Sequence, residues 1–115
     1  MPKIETKVES VSETYTAEIY MAGDINTARH FLQKMASRKG MCVSMEKVDY
    51  LYSLGFEKGF VVRLINYPRF ASSAEEIIGE AKKIALMLIE ELGQGSCTIV
   101  CSDKTLFLSR RNADD

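Results

Sequence analysis

Between Thr14 and Ala22 the side chains alternate, with Tyr15, Ala17, Ile19 and Met21 apolar and Thr16, Glu18 and Tyr20 interleaved. A period of two over this length predicts a half-buried strand. Gly23 breaks the alternation, and Asp24 can cap a helix whose apolar stripe is Ile25, Ala28, Phe31, Leu32 and Met35, with Gly40 as its stop. Two further runs, Met41 to Tyr52 and Phe60 to Tyr67, flank "SLGFEKG", whose two glycines predict a turn and hence a hairpin. Pro68 limits the third strand, and in "SSAEE" Ser73 and Glu76 form a capping box that opens a second helix. Ile77, Ile78, Ala81, Ile84, Ala85, Leu88, Ile89 and Leu92 give that helix a broad apolar face before "GQG" ends it. "CTIVCS", the turn "DK" and "TLFLS" then read as a fourth strand and a short hairpin partner, with Cys97, Ile99 and Cys101 on one side.

This order predicts an α+β fold, a ferredoxin-like β-α-β-β-α-β sandwich with an extra C-terminal β-hairpin strand and both helices on one face of an antiparallel sheet. Residues 14–109 are expected to form a single domain between a flexible N-terminal segment, 1–13, and a flexible tail, 110–115. A chain of 115 residues with 46% hydrophobic and 27% charged residues has the composition of an ordinary globular protein. The formal net charge of -1 provides no global field toward nucleic acid or anionic membrane. Cys42, Cys97 and Cys101 are odd in number and contain no Cys-x-x-Cys pair, which predicts reduced thiols in a cytoplasmic setting and no metal site or cofactor. The longest greasy stretch, "IALMLIEEL", is too short and too charged to span a bilayer, so no membrane role is expected.

Two stretches, "IYMAGD" at residues 19–24 and "KGFVVRL" at residues 58–64, resemble the hexapeptide and octapeptide of the RNA-recognition-motif family. The resemblance implies an outward, base-stacking role for Tyr20, Phe60 and Val62. Side-chain parity opposes it. If Phe60 and Val62 faced outward, Arg63 would lie under the helices, at a cost of several kcal/mol for an unpaired buried guanidinium. The opposite parity buries Phe60, Val62 and Leu64 and sends Arg63 to solvent, so the strand is expected to be a core strand and nucleic-acid binding becomes the alternative reading.

That parity leaves Tyr20, Val61, Arg63, Ile65 and Tyr67, with Glu18, on the open face of the sheet, which is too apolar for bare solvent. They form the expected oligomer interface, covered by a second copy of the chain or by another protein. The other covering considered is the segment after Asp103 or the N-terminal segment. A candidate site for a small anionic ligand lies where the start of the second helix meets the end of the first, formed by Arg38, Lys39, Asn66, Arg69, Ser72 and Ser73. Each also has a local use, because Arg38 and Lys39 suit a helix C-terminus and Ser73 is already a cap. Catalytic residues are not legible: His30, the only histidine, has no nucleophile or carboxylate at a telling spacing, and Cys42 reads equally as a small packing residue or a nucleophile.

The span "GMCVSMEKVDYLYSLGFEKGFVVRLINYPRF" resembles small tailed-bacteriophage proteins with an Asn-Tyr-Pro-Arg-Phe turn. The resemblance implies a phage or bacterial cytoplasmic setting and brings no activity. Taken together, the sequence is read as a non-enzymatic accessory protein acting through homo-oligomerisation or partner binding. The alternatives are an RNA-binding module and an enzyme whose active site forms at a subunit interface, using His30 or Arg69.

Overall fold

The computed structural model describes residues 3–35 and 42–110. Among them are β1 (Thr16–Ala22), α1 (Ile25–Met35), β2 (Ser44–Tyr52), β3 (Gly55–Ile65), a single 3-10 turn (Pro68–Phe70), α2 (Ala74–Leu92), β4 (Ser96–Cys101) and β5 (Thr105–Ser109). The strands form one open, wholly antiparallel sheet in the order β2-β3-β1-β4-β5.

Local chemistry sets the helix ends. Asp24 Oδ2 accepts from the Thr27 backbone N–H at 2.8 Å, which caps α1. Ser73 Oγ accepts from Glu76 N while Ser73 N donates to Glu76 Oε1, the reciprocal capping box expected from "SSAEE". At the other end of α2, Gly93 takes φ 67, and its N–H reaches back to the last carbonyls. Gly40, Arg38 and Lys39 lie outside the described residues.

Both helices pack on one face of the sheet. The core joins Ala17, Ile19 and Met21 of β1, Phe60, Val62 and Leu64 of β3, and Cys97, Ile99 and Cys101 of β4 to Ala28 and Leu32 of α1 and the inner face of α2. Phe60 and Val62 are fully enclosed there, so neither can stack on a base, which removes the geometry that the RNA-recognition likeness requires. Arg63 points from the opposite face, as side-chain alternation demands.

Two expectations need correcting. The hairpin loop is not the seven-residue "SLGFEKG" but a two-residue turn at Ser53 and Leu54, with pairing from Tyr52–Gly55 inward. Gly59 therefore lies within β3, where a Cβ would meet the Met21 carbonyl oxygen and the Tyr50 ring. Its use is close approach across the sheet rather than a turn. The segment after Asp103 does not fold over the open face either; β5 pairs along β4 and extends the sheet sideways.

Candidate functional site on the open sheet face

The face turned away from the helices is ordered by strand register. One cross-strand row runs Ser44, Arg63, Glu18, Val100 and Thr105, and the next runs Glu46, Val61, Tyr20, Thr98 and Phe107. Directly opposed and diagonal neighbours on such a face come within reach of long side chains. Arg63 uses both relationships. Its Nε donates to Glu18 Oε2 at 2.7 Å and its Nη1 to Glu46 Oε2 at 2.9 Å, tying three strands together. Those hydrogen bonds to Glu18 and then Glu46 push the guanidinium further up in pKa. Tyr20 Oη donates to the second oxygen of Glu18 at 3.4 Å. The result is an anionic patch, two carboxylates against one guanidinium, beside an aromatic ring.

Of the expected interface residues, Tyr20, Arg63 and Ile65 lie on this face with solvent access, Ile65 at 45%. Val61 is on it by register but only 1% exposed, so it is not a contact surface. It sits in register between Glu46 and Tyr20, with Arg63 two residues along. Tyr67 lies beyond the end of β3, where its hydroxyl accepts from Cys42 Sγ at 3.4 Å, a contact that raises the phenol pKa.

Of the expected anion-site residues, the four within the described range, Asn66, Arg69, Ser72 and Ser73, each have local partners. Asn66 is nearly enclosed, and all its polar groups are engaged. Its backbone N–H donates to Tyr15 O at 3.1 Å, and its carbonyl accepts from Ser12 Oγ at 2.7 Å. Its Nδ2 donates to Glu13 O, and its Oδ1 accepts from Ser72 N, each at 2.8 Å. Ser73 is committed to its cap, and the Arg69 guanidinium lies over the Phe70 ring at 5.6 Å. His30 is exposed on α1, edge-on to Phe31.

The Asn66 bonds hold the chain before β1 as a strap against the loop after β3, and a groove lies on either side of it. One, about 390 Å³, is lined by Val11, Ser12, Thr14, Thr16, Ile65 and Pro68 among others; the second, about 510 Å³, lies toward Ala71 and Ser72. Thr16 and Ile65 are paired in register two positions along the ladder from the Glu18–Arg63 pair, on the same face, so the first groove ends about 7 Å from the anionic patch. Sequence parity placed Glu18 and Arg63 together on this face. Glu46 was missed because its partner depends on the β2–β3 register, and the strap was missed because its anchor is a tertiary contact to Asn66. Among the described residues no cluster of metal-binding side chains occurs, and no helix is long and apolar enough to cross a membrane.

No protein-family model matches the chain, and no curated protein matches it. Two solved structures share its fold. A phage SAM lyase in its apo state superposes with a TM-score of 0.69 at 13% identity, over 96% of this chain and 98% of that one. A phage SAM lyase in complex with S-methyl-5'-thioadenosine superposes with a TM-score of 0.60 at 11% identity, over 91% and 96%. The expectation of a non-enzymatic accessory protein is corrected by these matches, because proteins sharing the fold along nearly its whole length are enzymes. Of the readings drawn from sequence, the enzyme alternative agrees best with them, whereas homo-oligomerisation and anion binding gain no support.

Proposed function

We propose that the chain is a lyase that acts on S-adenosylmethionine or a closely similar sulfonium nucleoside and releases S-methyl-5'-thioadenosine. The observation that carries this reading is the Glu18–Arg63–Glu46 cluster on the open sheet face of a fold that phage SAM lyase shares. A sulfonium centre has positive charge but no N–H to donate, so carboxylates and aromatic faces are what can recognise it. Two carboxylates and one guanidinium leave the cluster a net charge of -1 (two negative, one positive), with Tyr20 alongside. To leave methylthioadenosine, the bond between sulfur and the amino-acid side chain must break. As it breaks, its electron pair moves onto sulfur, which becomes a neutral thioether, while the substrate's own carboxylate closes onto the γ-carbon to give a lactone, so neither water nor an oxidant is consumed. Glu18 and Glu46 serve to capture and orient the sulfonium, and Arg63 fixes where their oxygens point.

Exposed Ile65 and Phe107 flank the cluster, which supports the reading in which a second copy of the chain completes and dries the site. The strand order β2-β3-β1-β4-β5, with the two helices on one face, supports the ferredoxin-like assignment over residues 14–109. The phage lyase neighbours support a phage origin.

The test is to incubate purified protein with S-adenosylmethionine and follow methylthioadenosine by chromatography. Release above the uncatalysed rate is expected, falling about 100-fold in Glu18→Gln if that carboxylate orients the reacting centre. Absence of release by the wild-type protein sinks the proposal.

A further inference from the structure

We propose that the groove beneath the N-terminal strap is the seat of the uncharged nucleoside part of the ligand, and that Asn66 is the positioning residue that keeps its wall in place. This rests on the lyase reading for the identity of the ligand, not for the existence of the groove. Three observations converge. The groove measures about 390 Å³, within the ~300–1,000 Å³ of small-molecule sites. Its lining couples apolar Val11, Ile65 and Pro68 with the hydroxyls of Ser12, Thr14 and Thr16, the mixture that suits a flat base and a sugar bearing hydroxyls. Two of its lining residues, Thr16 and Ile65, form the cross-strand pair next to Glu18 and Arg63 on the same face of the sheet. A ligand lying across this junction puts its neutral end under the strap and its cationic end against the carboxylates.

The wall is built to stay. Asn66 spends every hydrogen-bonding group on linking residues 12, 13 and 15 of the strap to residue 72, and no buried polar side-chain atom among the described residues lacks a partner. Buried amides held this way impose one geometry, because any displacement strands a donor or an acceptor away from water. The division of labour has a consequence for turnover. Cleavage removes the charge that the carboxylates hold, so the product keeps only the groove contacts.

The experiment is calorimetric titration of the purified chain with methylthioadenosine, at low and high salt, on wild type, Val11→Trp, Asn66→Ala and Glu18→Gln. Val11 is an exposed wall residue outside the core, so an indole there fills the groove without disturbing the fold. Expected are binding to wild type that salt hardly alters, at least tenfold weaker binding to Val11→Trp with an unchanged melting temperature, and affinity within about twofold for Glu18→Gln. In Asn66→Ala, faster hydrogen exchange of amides 12–16 should accompany weaker binding. Equal affinity of Val11→Trp and wild type overturns the inference, even if the protein cleaves S-adenosylmethionine. No binding of methylthioadenosine to wild type overturns it as well. Binding that depends on Val11 in a protein that does not cleave S-adenosylmethionine supports the groove while removing the lyase reading.

Discussion

Arg63 Nε lies 2.7 Å from Glu18 Oε2, across the β1–β3 ladder and on the face of the sheet that no helix covers. Both side chains keep about a third of their surface in water, so the pair is screened and contributes little to stability, about 1 kcal/mol or less. An arginine that organises two carboxylates without much stabilising the fold is better explained by the site than by the scaffold. Replacing Arg63 with Gln should lower the rate of methylthioadenosine release about tenfold or more while moving the melting temperature by only a few degrees. Parallel losses of stability and activity would show the cluster to be structural.

Tyr50 and Gly59 make the second test, this time of the fold. The Tyr50 ring lies where a Gly59 side chain would be, and its hydroxyl donates to Phe60 O at 2.9 Å. Burial is the main cause pushing that phenol up to about 12. Gly59→Ala should cost about 1–3 kcal/mol by overpacking, because the Met21 carbonyl has nowhere to move. Tyr50→Phe should cost about 1 kcal/mol through the lost hydrogen bond. Chemical denaturation of both variants reads these values.

The Ser73–Glu76 capping box gives a pH signature. The Ser73 backbone N–H, followed by its hydroxyl, holds the Glu76 carboxylate below its ordinary 4.5. A carboxylate whose pKa is lowered by folding stabilises the native state above the unfolded value, and that contribution disappears as pH falls through the folded one. Stability measured from neutral pH to below pH 4.5 should therefore fall less steeply in Glu76→Gln than in wild type. Ser73→Ala should cost about 1 kcal/mol at neutral pH.

The thiols should separate by burial. Cys42 is exposed, whereas Cys97 and Cys101 are buried and desolvation lifts the Cys97 thiol to about 11. Alkylation of the native protein near pH 8 should label Cys42 and spare Cys97 and Cys101, and unfolding should expose all three to reagent. For Cys97 the folded pKa is raised above the ordinary 9.0, so its neutral thiol stabilises the fold below that value and loses the effect as pH climbs toward 11. Rapid labelling of Cys97 in the native state would contradict its packing under α2.

What the sequence determined by itself was local or periodic. Alternation in "TYTAEIYMA" fixed the inward set of β1, the capping box fixed the start of α2, and the cost of burying Arg63 fixed the parity of β3. Each follows from side chains a few residues apart, or from one desolvation energy large enough to exclude the alternative. Tertiary structure decided the rest. It placed Glu46 beside Arg63 through a register set by a two-residue turn that two nearby glycines obscured, enclosed Val61 on a face that parity alone would leave open, and tied Ser12 and Glu13 to Asn66 more than fifty residues away. Those contacts join parts of the chain with no shared periodicity, so only the folded packing brings the groove and the carboxylates to one surface.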